Sequence, residues 1–148
     1  TPTTQGVDAI AEADFITLGP GSWFSSVLPH LLVAKQRQAL ESSKAKKVII
    51  LNLDAIPNVT GDELAGSSPA DHLRILRKFA PDLKCDVALL DSSIAARSEL
   101  LIELEGLTQA MGGRVFVADL ASHPGSNHHD TEKLFLTLSH IFQAEMLR

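Results

Sequence analysis

Four short apolar runs, each followed by a segment with helical periodicity, constrain the fold of this chain more than any other feature of its sequence. The runs have the length of strands and the continuous apolar character of strands that are covered on both faces. Strands that alternate with helices are joined by right-handed crossovers, which require a parallel sheet. The sequence therefore predicts an α/β fold with a doubly wound, mainly parallel sheet. The predicted strands are Phe15–Leu18, Val48–Leu51, Val87–Leu90 and Val115–Ala118.

The segments between the runs place apolar residues at the spacing of helices that pack one face on a core. Residues 54–69 are the exception, because they combine prolines, glycines and serines with little periodicity. An irregular connection of this length in a compact domain is usually functional or mobile, so we predict a lid there. The predicted helices span residues 25–43, as one helix or two joined, 70–79, 97–111 and 130–147.

Composition and charge exclude several classes of protein. The 148 residues are 45% hydrophobic and 21% charged, which is typical of a single globular domain, here residues 1–148. The net charge is −5 and the basic residues are scattered, so we expect no nucleic-acid partner. No apolar run approaches the roughly 20 residues that span a bilayer, and the polar start has no signal pattern. A single cysteine, Cys85, forms no internal disulfide, so we predict a cytoplasmic protein without a membrane span.

Small or polar residues follow every apolar run. In parallel sheets ligands bind outside the carboxyl ends of the strands, so these residues are candidates for a binding site. They are Gly19, Pro20, Gly21 and Ser22 after the first run, Asn52 and Asp54 after the second, Asp91 with Ser92 and Ser93 after the third, and Asp119 after the fourth.

The Gly19–Ser22 segment lies between a predicted strand and a predicted helix. Its glycines allow close approach of the backbone, and the start of the helix offers N–H groups to a phosphate. It lacks the lysine of a phosphate-binding loop and the spacing of a dinucleotide fingerprint, so ligand contact and a plain tight turn both remain open. Ser25 either contributes a hydroxyl to the ligand or caps the helix. Trp23 either stacks on a base or belongs to the core.

Three histidines near the last predicted helix are also candidates for chemistry. His123, His128 and His129 precede Asp130, but their spacing lacks a second helical ligand pair, so we expect no zinc. Asp130 is better placed to cap the helix that follows.

Residues 13–33, which include Thr17-Leu18-Gly19-Pro20-Gly21-Ser22-Trp23, resemble the signature of the gluconeogenesis factor family, the YvcK-like proteins. These share a fold with the CofD-like 2-phospho-L-lactate transferases. Residues 48–53, residues 70–73 and the pair His129-Asp130 agree with the family in the same order. Trp23-Phe24 and Pro29-His30 resemble its actinobacterial branch.

The resemblance implies a Rossmann-like fold and a nucleotide site. Gly19, Gly21 and Ser22 would hold a diphosphate, and Asn52 would fix a ribose or sugar hydroxyl. Members on this side of the family bind UDP-sugars and influence cell shape, the supply of cell-wall precursors and growth on gluconeogenic carbon. The resemblance therefore implies a nucleotide-sugar-binding regulator that need not be catalytic.

The transferase side of the family implies an alternative. It moves a phospholactyl group from a guanosine diphosphate donor to a deazaflavin acceptor with Mg²⁺, and Asp54, Asp91 or Asp119 would then hold the metal. The glycine-rich turn that opens family members is absent, so we expect the carboxyl-terminal part of a longer CofD-like domain. Missing strands would leave a sheet edge that favours a homo-oligomer.

Overall fold

The computed structural model describes residues 2–53 and 68–148. Its four strands form one parallel sheet in the order β1-β2-β3-β4. The predicted α/β fold with a Rossmann-like parallel sheet of about four strands is confirmed. The strands are β1 (Phe15–Leu18), β2 (Lys46–Ile50), β3 (Val87–Asp91) and β4 (Arg114–Ala118).

Helices fill the connections between the strands. The predicted helix over 25–43 is divided into three parts. A π-helix passes directly into α2, and α2 is separated from α3 by Val33, which is extended with φ −85° and ψ 107°. Two helices escape the sequence analysis, α1 because its apolar stripe is short and α5 because four residues show no periodicity. The helices are α1 (Thr4–Glu12), the π-helix (Trp23–Val27), α2 (Leu28–Leu32), α3 (Ala34–Ser42), α4 (Pro69–Phe79), α5 (Ser92–Ala95), α6 (Ser98–Ala110) and α7 (Thr131–Met146).

The sheet has an apolar core on each face, because successive side chains of a strand point in opposite directions. Ile49 and Leu90 join the larger core with residues of α2, α3, α4 and α6. Val48 and Leu89 join a smaller core in which Leu134, Leu138 and Phe142 of α7 cover the other face. The central strands β2 and β3 are therefore buried from both sides, as their continuous apolar runs predict.

Several close contacts lie at the amino ends of the strands. A Cβ on Gly113 would lie 1.9 Å from the carbonyl oxygen of Cys85, so the turn before β4 requires a glycine. Cys85 is buried, and burial raises the pKa of its thiol to about 12. Glu145 of α7 pairs with Arg114 of β4 at 2.7 Å. Ligands of parallel sheets bind at the carboxyl ends of the strands, so the candidate residues lie at the opposite edge of the sheet from these contacts.

No helix among residues 2–53 and 68–148 is long and apolar enough to cross a membrane. The predicted lid over 54–69 lies outside the described residues, apart from Ser68 and Pro69.

Candidate functional site

The Gly19–Ser22 turn leads from β1 into the π-helix and lies against the end of β2. Gly19 has φ +80° and Gly21 has φ +137°, both in a region that side chains disfavour. A Cβ on Gly19 would lie 2.6 Å from the carbonyl oxygen of Ile50. The turn therefore requires glycine at this position for a close approach to β2.

Asn52 lies beside this turn, as the sequence predicts, and its amide is directed at the turn itself. Its Oδ1 accepts a hydrogen bond from the Gly21 N–H at 3.0 Å. Its Nδ2 donates to the Gly21 carbonyl oxygen at 3.0 Å. The structure thus joins the ends of β1 and β2 through a pair of residues 31 positions apart.

Ser22, rather than Ser25, caps the helix that follows the turn. The Ser22 Oγ accepts a hydrogen bond from the Ser25 N–H at 3.3 Å, and Ser25 lies inside the π-helix and is exposed. The alternative in which Ser25 is the cap is therefore wrong. A role of the Ser25 hydroxyl in ligand binding stays a prediction.

Trp23 belongs to the core, in agreement with one of its two interpretations. Its side chain is 3% exposed and stacks on His72 of α4, with ring centroids 4.7 Å apart and planes at 23°. A nucleobase that stacked on this face of the indole would have to displace His72. Trp23 therefore contributes to the site by fixing the residues after the turn against α4.

Asp91 lies buried at the end of β3 and ties β3 to the segment after β4. Its Oδ1 accepts hydrogen bonds from the N–H groups of Leu120 at 2.7 Å and Ala121 at 3.0 Å. Its Oδ2 accepts from the N–H and the hydroxyl of Ser93. Burial opposes ionisation, but these hydrogen bonds outweigh it and lower the pKa of Asp91. A metal at Asp91 would have to replace donors that already occupy both oxygens.

Asp119 and Lys133 form an ion pair at the same edge of the sheet. The Lys133 Nζ lies 2.8 Å from Asp119 Oδ2 and donates to the Ala121 carbonyl oxygen at 2.8 Å. Its hydrogen bond with Asp119 raises the pKa of Lys133. Sequence analysis missed Lys133, although its position three residues after the cap Asp130 places it in the first turn of α7. Asp130 caps α7 as predicted, accepting from the Lys133 N–H at 2.9 Å.

A cavity of about 440 Å³ opens beside these residues. Its lining includes Asp91, Asp119 and Lys133, together with Ala121 and residues 123–126 of the loop after β4. The loop is braced by hydrogen bonds from the Ser122 N–H to His128 and from the Ser126 N–H to His123, both at 3.0 Å. The cavity is therefore a formed feature with hydroxyl, ammonium, imidazole and carboxylate groups on its walls.

The structure brings the predicted residues together in two groups. The turn and Asn52 form one group at β1 and β2, and Asp91 and Asp119 form the other at β3 and β4. Asp54 lies outside the described residues. Among the residues that are described, no group of three or more His, Cys, Asp or Glu side chains could hold a metal ion.

Comparison with known proteins gives consistent similarities. The family model described as 2-phospho-L-lactate transferase CofD matches residues 1–120. A gluconeogenesis factor of Mycobacterium tuberculosis is 37% identical over 94% of this chain and 39% of its own length. One from Aquifex aeolicus is 30% identical over 97% of this chain and 46% of its own length. The chain thus spans less than half the length of these curated relatives.

A solved structure supports the same similarity. The crystal structure of a member of the UPF0052 family from Bacillus halodurans superposes with a TM-score of 0.66 and 27% sequence identity. The match covers 93% of this chain and 46% of that chain.

Proposed function

Since this chain belongs to the CofD-like family that includes the gluconeogenesis factors, we propose that it forms part of a cytoplasmic regulatory protein that binds nucleotide-sugars, with UDP-sugars as its ligands. Through this binding the protein would link carbon metabolism to the supply of cell-wall precursors. The proposal requires no catalytic step.

The observation that carries this proposal is the Gly19–Ser22 turn. It follows a strand at the carboxyl edge of a parallel sheet, where ligands of such sheets bind, and its backbone leads directly into a helical segment. A Cβ on Gly21 would meet nothing closer than the Ser26 side chain at 3.5 Å, so this part of the turn leaves room for a diphosphate. Gly19, Gly21 and Ser22 are the residues to which we assign the diphosphate.

The cavity beside Asp119 and Lys133 suits the hydroxylated part of the same ligand. Sugar hydroxyls both donate and accept hydrogen bonds, and the cavity offers an ammonium donor, a carboxylate acceptor and serine hydroxyls. Strands lie about 4.8 Å apart, so the cavity at β3 and β4 is about 10–15 Å from the turn at β1. A base, ribose, diphosphate and sugar in line can extend over such a distance.

Stabilisation of the intact protein by ligand tests the proposal. Binding to the native state raises the free energy of unfolding by about 2.7 kcal/mol when the ligand is present at a hundredfold its dissociation constant. We expect UDP-N-acetylglucosamine or UDP-glucose to raise the melting temperature and uridine alone to have little effect. An unchanged melting temperature with both UDP-sugars and with GDP would contradict nucleotide binding.

The second candidate is a phospholactyl transferase that uses a guanosine diphosphate donor and Mg²⁺. The match of residues 1–120 to a family model described as a transferase favours it, as does the exposure of Asp119 beside the cavity. Asp91 is engaged with four donors, so Asp119 and Asp54 are the better candidates for the metal.

The variant Asp119→Asn separates the two candidates. If a metal bound there carries the activity, the substitution and a chelator will both abolish Mg²⁺-dependent binding or turnover. Nucleotide-sugar binding that neither treatment changes would favour the regulator.

A further inference from the structure

Both ends of the Asn52 amide are engaged with one residue of the turn. The Oδ1 accepts from the Gly21 N–H and the Nδ2 donates to the Gly21 carbonyl oxygen, each at 3.0 Å. A rotated amide would set donor against donor and acceptor against acceptor. The pair is therefore reciprocal, and it fixes the orientation of the Gly21 peptide groups.

Packing alone does not fix Gly21. A Cβ on Gly21 would meet nothing closer than the Ser26 side chain at 3.5 Å, whereas Gly19 is pressed against the carbonyl group of Ile50. Glycine has the largest conformational freedom of any residue, and Gly21 adopts φ +137°. The hydrogen bonds from Asn52 supply the restraint that packing leaves out.

Asn52 itself is held by the residues beside it. Leu51 is buried and its N–H donates to the Leu89 carbonyl oxygen at 3.0 Å, which extends the pairing of β2 with β3. Leu53 is also buried. The side chain of Asn52 therefore projects from a segment at the end of a central strand that is anchored by two buried leucines.

We propose that Asn52 is a positioning residue, which holds the Gly19–Ser22 turn in its ligand-binding conformation through Gly21 and does not contact the ligand. The inference rests on the proposed function, because it concerns the turn to which that function assigns the diphosphate. It replaces the expectation that Asn52 fixes a ribose or sugar hydroxyl.

Affinity measurements on the intact protein test this role with UDP-N-acetylglucosamine, UDP and 2′-deoxy-UDP as probes. We expect Asn52→Ala to weaken all three by the same factor, about tenfold or more, which corresponds to about 1.4 kcal/mol. The affinities for the three ligands should fall by the same factor because all three contain the diphosphate that the turn is proposed to bind. A loss that disappears when one hydroxyl or the sugar is removed from the ligand would show direct contact and overturn the inference.

Ser43→Ala is the matched control. The Ser43 Oγ also makes two hydrogen bonds to backbone, donating to the Ile10 carbonyl oxygen at 3.0 Å and accepting from the Ala45 N–H at 3.1 Å. It lies before β2, at the opposite end of the strand from Asn52. This variant is expected to lose stability while it retains wild-type affinity, so an equal loss of affinity in both variants would mean that Asn52 acts only through global stability.

Asn52→Asp adds a readout that a merely structural role would not produce. The carboxylate keeps an acceptor for the Gly21 N–H but places a second oxygen against the Gly21 carbonyl group. Protonation restores a donor there, so affinity relative to wild type should recover as the pH falls toward the pKa of the carboxyl group. A ratio that does not change with pH contradicts the paired geometry.

Hydrogen exchange in the unliganded protein separates this inference from the proposed function. The Gly21 amide should exchange slowly in wild type and Ser43→Ala, and much faster in Asn52→Ala. If wild type binds none of the probes, the proposed function fails, but accelerated exchange still supports the restraint on the turn. Equal exchange rates in wild type and Asn52→Ala would refute it.

Discussion

Gly19 is the residue at which the candidate turn depends most directly on β2. Its φ is +80°, and a Cβ added to it would lie 2.6 Å from the Ile50 carbonyl oxygen, so a side chain here combines backbone strain with a collision against backbone. Gly21 has the strain of a positive φ without the collision, because its nearest neighbour is a side chain at 3.5 Å. An added methyl group is therefore expected to lower the free energy of unfolding more at Gly19 than at Gly21.

Gly19→Ala should accordingly destabilise the fold more than Gly21→Ala. Strain at a disfavoured φ costs about 1–3 kcal/mol, and only Gly19→Ala adds displacement of the end of β2. Urea unfolding of both variants under the same conditions measures the difference. Equal losses of unfolding free energy would mean that the close approach to Ile50 does not restrict the turn.

The carboxylate of Asp91 should make the free energy of unfolding decrease at acid pH. Its folded-state pKa lies below the ordinary value of about 3.9, so its contribution is present above that pH and is lost as the pH falls through the lowered pKa. Asp91→Asn replaces one acceptor oxygen by an NH2 donor, which leaves N–H or hydroxyl donors without an acceptor and should cost about 1–3 kcal/mol at pH 7. The difference from wild type should shrink as the pH falls from about 4 through the lowered pKa, because the carboxyl of the unfolded chain is protonated before that of the folded protein.

Asp119→Asn is the control for that measurement, because the Asp119 side chain is 68% exposed. Urea unfolding from pH 7 to pH 3 should give nearly the wild-type pH dependence for this variant. If the stability curves of wild type and Asp91→Asn remained parallel over the same range, the carboxylate of Asp91 would not be the acid-sensitive group.

At the scale of the elements, a glycine within α6 lowers the stability of that helix. Gly106 lies exposed within this helix, and a Cβ there would meet nothing within 4 Å. A glycine in a helix costs about 0.5–1 kcal/mol relative to alanine. Gly106→Ala should therefore raise the melting temperature.

Gly113→Ala should instead lower the melting temperature. Gly113 lies in the turn that follows the same helix. Its Cβ would lie 1.9 Å from the Cys85 carbonyl oxygen, which only a shift of backbone could relieve. Thermal unfolding of the two variants compares them directly. A stabilised Gly113→Ala protein would be incompatible with the close approach of this turn to β3.

At the scale of the whole molecule, β1 and β4 are the edges of the sheet within the described residues. The helices that connect the strands pack on one face, and α7 covers the other. Unpaired strand edges favour association, so a homo-oligomer stays a prediction that light scattering can check. The lid over residues 54–69 and the role of Asp54 also stay predictions.

The sequence by itself determined the strands and the long helices, because apolar periodicity is a local property of the chain. β1 was predicted to the residue, and α4, α6 and α7 to within about one residue at each end. Two joined helices over 25–43 were one of the predicted alternatives, but the position of their break at Val33 and the short helix α5 were not predicted, since neither leaves a periodic signal.

Only the tertiary structure decided what the polar residues at the strand ends do. Asn52 meets Gly21 across 31 residues, and Asp91 meets Leu120 across 29. Such partners are set by strand order and register, which hydrogen bonds between distant segments establish together with core packing. The sequence could therefore place these side chains at one edge of the sheet, while the fold alone decided that Asn52 would hold a turn and Asp91 would brace a loop.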